Sequence, residues 1–194
     1  AIVGTDPDGH QVKIEAFGGP FEINSPATYE SPNSFPATFQ DTPGKLNFEW
    51  NTFCGHVRER AYEVQFKVAD NPIENNIKVG PTLNEFGTWE ITIVGPAPQG
   101  LALVPKSGRS IELSWDDYVC SNANEIEIWR RVGDFDLNVD DCEVGMPAYS
   151  GYSLIAKIPT SETTFIDERL APGANYCYRI VAQFPNPGRG TSYI

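Results

Sequence analysis

Oxygen-bearing side chains are the first chemistry this sequence offers. In the run Asp134-Phe135-Asp136-Leu137-Asn138-Val139-Asp140-Asp141-Cys142-Glu143, Asp134, Asp136, Asn138 and Asp140 stand at alternate positions. A calcium loop opens with this spacing, but it also needs a glycine at its sharp turn and a bidentate glutamate at its end. Val139 and Gly145 occupy those two places, so the run reads as a solvated acidic loop pinned by Cys142. A second carboxylate set, Asp6, Asp8 and Asp70, is discounted because Asp-Pro-Asp-Gly is an ordinary turn sequence. No metal and no cofactor is expected.

Acid–base chemistry has few candidates. His10 and His56 are the two histidines of the chain, and histidine alone changes charge near neutrality without perturbation. His10 precedes an alternating segment, and His56 lies in the charged loop Cys54-Gly55-His56-Val57-Arg58-Glu59-Arg60. No Gly-x-Ser-x-Gly nucleophile motif occurs. Asp116-Asp117 offers the carboxylate pair that glycoside hydrolysis uses. With 26 Asp plus Glu in the chain, however, such pairs arise from composition alone. No enzyme activity is expected. Trp129, Tyr149 and Tyr152 are a candidate aromatic platform for sugar rings, because Trp129 falls on the strand face opposite Ile126 and Ile128. The competing expectation is that the segment around Tyr149 folds back over Trp129, since large exposed apolar patches are uncommon on monomers.

The elements that must position these residues are strands. The chain has 194 residues, 40% of them hydrophobic, which is enough for two domains with proper cores. Its net charge of -12 repels phosphate backbones and anionic lipid, so nucleic-acid and membrane-surface roles are excluded. No apolar run approaches the ~20 residues of a membrane span, so no membrane insertion is expected. Val12, Ile14 and Ala16 alternate with polar neighbours. So do Leu46, Phe48 and Trp50 within Lys45 to Phe53, and Tyr62, Val64, Phe66 and Val68 within Ala61 to Asp70. Trp89, Ile91 and Ile93 do the same within Gly87 to Val94, giving each run the two-residue period of a half-buried strand. Five prolines between Gly18 and Pro43 leave room only for short edge strands, around Phe35 to Phe39. Tyr176, Tyr178, Ile180 and Ala182 alternate after the turn Leu170-Ala171-Pro172-Gly173. This arrangement resembles the tyrosine corner of Greek-key sandwiches.

The first half resembles the cadherin-like and related Ig-like modules of bacterial surface proteins. The matching features are Thr5-Asp6-Pro7-Asp8-Gly9, Phe48-Glu49-Trp50 followed by Cys54, and the Tyr62-to-Asp70 run ending in an acid. A first strand is expected to be missing before Ala1. The second half resembles fibronectin type III modules in Ser110-Ile111-Glu112-Leu113-Ser114-Trp115 and Glu125-Ile126-Glu127-Ile128-Trp129-Arg130-Arg131. Tyr152 to Ile158, Thr163 to Asp167, the Tyr176 strand and a last strand from Gly190 to Ile194 complete that likeness. Gly133 to Gly151 departs from it as a long insertion. With the link Gly95-Pro96-Ala97-Pro98-Gln99-Gly100, the tandem is similar to regions of large secreted proteins associated with bacterial gliding motility.

That resemblance implies an all-β chain of two tandem Greek-key sandwiches: residues 1–95, a Pro-rich linker at 96–100, and residues 101–194. It implies a non-catalytic spacer, scaffold or adhesion role outside the cell, with neighbouring domains of a longer chain and an unnamed protein or glycan partner. The alternative is an accessory carbohydrate-binding region of a secreted polysaccharide-degrading enzyme. Cys54, Cys120, Cys142 and Cys177 lack Cys-x-x-Cys spacing, and their even number suits two disulfides in an oxidising compartment. Buried free thiols in a cytosolic protein remain the competing reading. The topology implied by the resemblance puts Cys54 and Cys120 at the junction end of their modules, and Cys177 beside the insertion that carries Cys142. The expected pairing is therefore Cys54–Cys120 and Cys142–Cys177, with the first bond restraining hinging about the linker.

Overall fold

Alternation of apolar and polar side chains gives strands throughout, and the computed structural model describes residues 1–31, 36–58, 60–138 and 144–184. The chain divides into two units. The first is Ala1–Thr52 with Ala61–Ile91, and the second is Phe53–Arg60 with Thr92–Ile194.

The first unit contains β1 (Ile2–Gly4), β2 (Gln11–Gly18), β3 (Thr28–Glu30), β4 (Gly44–Glu49), β5 (Tyr62–Asn71), β6 (Ile73–Glu74), β7 (Ile77–Lys78) and β8 (Asn84–Ile91). One antiparallel sheet runs β1-β4-β3 and another β2-β5-β8, while β6 and β7 form a small hairpin. Asn75 and Asn76 both take positive φ in that hairpin, the backbone a tight two-residue connection requires. Val12, Ile14 and Ala16 turn inward from β2, and Tyr62, Val64 and Phe66 from β5. Ile14, Ala16, Leu46, Val64 and Phe66 form the buried cluster, with Phe21, Tyr29 and Phe48 half-buried against it. Gly18 holds φ at 128°, and a Cβ there would strike the Glu63 carbonyl where β2 lies beside β5.

The second unit contains β9 (Ala102–Lys106), β10 (Ser110–Ser114), β11 (Glu125–Val132), β12 (Ser153–Pro159), β13 (Thr164–Asp167) and β14 (Tyr176–Gln183). Its antiparallel sheets run β13-β10-β9 and β12-β11-β14. Leu113 and Trp115 from one sheet meet Ile126, Ile128, Tyr178, Ile180 and Ala182 from the other. In each unit the chain crosses between the two sheets three times, at β1–β2, β2–β3 and β4–β5 in the first and at β10–β11, β12–β13 and β13–β14 in the second, as Greek-key sandwiches do. The fold is all-β.

Several expectations are corrected. The strand expected over Lys45 to Phe53 ends at Glu49, and the one expected over Gly87 to Val94 runs Asn84–Ile91. Ile93 consequently packs against the core of the second unit rather than continuing the face of Trp89 and Ile91. Residues 36–39 of the Pro-rich stretch form no strand, while Phe35 lies outside the described residues. The edge strand there is Thr28–Glu30, and Gln40 makes an isolated bridge to Val12. β1 carries too few residues to show a period and was not foreseen. The second unit begins at Thr92, before the Pro-rich link, and also takes in Phe53–Arg60, which sequence order assigns to the first half. The physical reason is burial of Val57 in the second core and the covalent bond described below. The Gly190-to-Ile194 strand lies outside the described residues.

Candidate functional site

The densest polar chemistry lies at one end of the β12-β11-β14 sheet. The turn Leu170-Ala171-Pro172-Gly173 brings the chain into β14 so that the Tyr176 hydroxyl accepts a hydrogen bond from the Ala171 amide at 2.8 Å. This is the tyrosine-corner contact, made back to backbone five residues upstream. Two residues along, the Tyr178 hydroxyl donates to Asp167 Oδ2 at 2.7 Å. Arg130 Nη1 lies 3.0 Å from both oxygens of the same carboxylate, and its guanidinium stacks 5.6 Å from the Tyr176 ring centroid. Burial first, then the hydrogen bond to the Asp167 carboxylate, raises the Tyr178 phenol well above its ordinary pKa. Asp167 is buried and doubly engaged, so this group fixes β11, β13 and β14 against one another. Strand alternation locates Tyr178, but nothing local in the sequence pairs Asp167 with Arg130 37 positions away.

The outer face of this sheet is also covered. Ile126, Glu127 and Ile128 are buried consecutively, which a strand with one wet face does not allow. Glu127 is satisfied by the Trp129 indole N–H at 3.0 Å and by Lys157 Nζ at 2.8 Å. Lys157 also contacts Glu125 at 2.6 Å, and its ammonium pKa is raised by the hydrogen bond to Glu125 and then that to Glu127. Of the proposed platform, Trp129 and Tyr152 are half-buried and Tyr149 is 66% exposed, so the three rings do not form one open surface. Arg131 reaches the Ser150 carbonyl and lies 4.1 Å over the Phe135 ring, tying both ends of the insertion to β11.

The same insertion explains the acidic run. Asp134, Asp136 and Asn138 are exposed, Phe135 is half-buried, and Leu137 is buried with its carbonyl accepting from Arg179 at 3.3 Å. The alternation that copies a calcium loop is thus that of an extended strap with its apolar side inward. Asp140 and Cys142 lie outside the described residues. Cys177 is half-buried, and the expected Cys142–Cys177 bond lies outside the described residues because Cys142 does. Cys177 pairs in register with Arg131 on β11, and its sulfur has no disulfide partner among the described residues.

Cys54 and Cys120 are joined by a disulfide, with Cα atoms 5.4 Å apart and a sequence separation of 66. Cys120 is fully buried, the Asn122 side-chain amide donates to the Cys54 carbonyl at 2.9 Å, and Val57 sits in the same core. His56, buried in the short 3-10 turn at Cys54–His56, accepts from the Phe53 amide through Nδ1 at 3.3 Å. Its ring lies 4.2 Å from that of Phe53. These contacts commit His56 to structure. Asp116 and Asp117 are both exposed on a loop. Among the described residues, one group of His, Cys, Asp or Glu has the geometry to hold a metal: Asp6, His10 and Asp70, in the first unit.

No family model and no curated protein matches the chain. Among solved structures, a two-domain fibronectin type III segment from chicken tenascin is 12% identical with a TM-score of 0.40, covering 98% of this chain and 93% of that one. The FN1–FN3 domains of chicken CNTN1 are 10% identical with a TM-score of 0.39, covering 95% of this chain and 51% of that one.

Proposed function

We propose that this chain is a non-catalytic pair of β-sandwich modules, acting as a spacer, scaffold or adhesion element of a large secreted or cell-surface protein. The observation that carries this reading is the Cys54–Cys120 disulfide, buried on the Cys120 side in an apolar core. Such bonds persist in oxidising compartments and are kept reduced in the cytosol. The engagement of His56 by Phe53, the exposure of Asp116 and Asp117, and the closure of the outer sheet face all favour architecture over chemistry. The sequence likeness to modules of gliding-motility-associated surface proteins supports display outside the cell.

The test is thiol alkylation of protein taken from its native compartment, followed by mass mapping, together with glycan-array binding. Cys54 and Cys120 should resist alkylation until reductant is added, and no glycan should bind saturably. Labelling of both cysteines without reductant would overturn the extracellular assignment. Glycan binding lost in Tyr149→Ala would replace the reading with a carbohydrate-binding module.

A further inference from the structure

The Asp6-Pro7-Asp8-Gly9 turn does more than reverse the chain. Asp6 Oδ1 accepts the amides of Asp8 and His10, each at 3.0 Å, which draws the His10 imidazole to 3.5 Å from the same carboxylate through Nδ1. Pairing of β2 with β5 then sets Val12 opposite Asp70, so the loop before β2 stands beside the end of β5. Asp70 Oδ1 in turn accepts the Leu83 amide. Each aspartate is therefore oriented by backbone N–H groups on one oxygen, while Oδ2 makes no hydrogen bond among the described residues. Ligand atoms of Asp6, His10 and Asp70 all lie within 4.8 Å of one another.

The imidazole gives an observation independent of the carboxylates. His10 Nε2 is shut off from solvent yet has no hydrogen-bond partner, although Glu74 Oε1 stands 3.5 Å away. The ring as a whole is 12% exposed. A ligating histidine commonly gives its other ring N–H to a carboxylate, so binding through Nδ1, on the Asp6 side, leaves the proton on Nε2 for Glu74, the acceptor nearest that buried nitrogen. Two carboxylates with a histidine between them also repel one another less once a divalent ion is present.

We propose that Asp6, His10 through Nδ1, and Asp70 form a site for a zinc-class divalent cation, with the Glu74 carboxylate orienting the ring from Nε2. The donor set selects the ion. An imidazole nitrogen beside carboxylate oxygens suits Zn2+ and its transition-metal neighbours, whereas Ca2+ takes oxygens throughout. Metal–ligand bonds of about 2.0–2.2 Å place ligand atoms nearer together than the present limit. Rotation of the three side chains is needed for that closure. The chain's net charge of -12 favours accumulation of cations at any such site. The site belongs to the first unit alone and does not depend on the proposed display role.

The experiment is isothermal titration of the chelator-treated full chain with Zn2+ and, separately, Ca2+, with Cys142→Ser and Cys177→Ser together as background to remove thiol binding. Wild type should bind one zinc-class ion through this site, and His10→Ala and Asp70→Asn should each weaken it about tenfold or more. Asp134→Asn, on the exposed strap, should change nothing. In parallel, nitrogen chemical shifts of the two histidines should move on Zn2+ addition for His10 and not for His56, a readout needing no variant. Absence of Zn2+ binding, binding unchanged in His10→Ala, or unmoved His10 nitrogens would each overturn the proposal. So would Ca2+ binding that exceeds Zn2+ and ignores His10.

Discussion

The two units solve the same problem, a β-sandwich with a marginal core, by different means. The first relies on apolar and aromatic packing. Phe21 meets Tyr29 and Phe48 edge to face at 5.8 and 5.9 Å, and Trp89 meets Phe66 at 4.8 Å, while β8 stays exposed along most of its length. The second adds directed bonds to its core: a disulfide, a tyrosine corner, and a buried carboxylate shared by Arg130 and Tyr178. Burial reaches both faces of β11 and β14, at Glu127 and Val181. Packing of either kind resists unfolding, but directed bonds also fix which loop lies where. That matters in the unit that carries a long insertion.

The largest test of this contrast is removal of the disulfide. Closure over a separation of 66 residues constrains the unfolded chain, and paired Cys54→Ser and Cys120→Ser should lower stability by about 4 kcal/mol in chemical denaturation. Hydrogen exchange should accelerate first at residues 53–58. A loss under ~1 kcal/mol would mean that apolar packing of Val57 alone retains the segment.

Core truncation comes next. Ile128→Ala and Leu46→Ala, each fully buried in its own unit, should both cost about 2–5 kcal/mol. Phe86→Ala on the exposed β8 should stay within about 0.5 kcal/mol. A large effect at Phe86 would show that β8 is covered in solution and would erase one side of the comparison.

The shared carboxylate predicts a smaller loss with a pH signature. Tyr178→Phe removes a hydrogen bond to a charged acceptor and should cost about 1.5–3 kcal/mol at neutral pH. The fold favours the protonated phenol, so its folded pKa exceeds the ordinary value of 10.0. Its contribution is whole below the unfolded value and is lost as pH climbs through the folded one. Wild type should therefore lose stability above pH ~10 more steeply than Tyr178→Phe, as measured by urea midpoints across that range. Parallel curves would remove Tyr178 from the account. Smallest of all, Lys157→Ala breaks solvent-screened contacts to Glu125 and Glu127 and should cost about 0.2–1 kcal/mol, less at high salt.

Legibility followed the same division. β2 and β5 were readable because one face meets a core and the other water, so the pattern of Val12, Ile14 and Ala16 is local and needs no partner. In β11 that rule fails at Glu127, which is buried by neighbours from β12 and by Trp129. The acidic strap misled for a related reason. Alternation produced by Phe135 and Leu137 facing inward places oxygens at the spacing of a calcium loop. His10 was readable only as an isolated base, because its nearness to Asp70 comes from pairing across sixty residues.

The sequence by itself determined that this is an all-β chain, where its main strands run, and that Tyr176 turns a corner. Period-two hydrophobicity and turn residues act over a few neighbours and survive without tertiary context. Only the tertiary structure decided that Phe53–Arg60 joins the second unit, that Arg130 and Tyr178 share Asp167, and that His10 joins Asp6 and Asp70. Those outcomes depend on which distant segments share a core, and burial and covalent geometry set that choice where no local pattern records it.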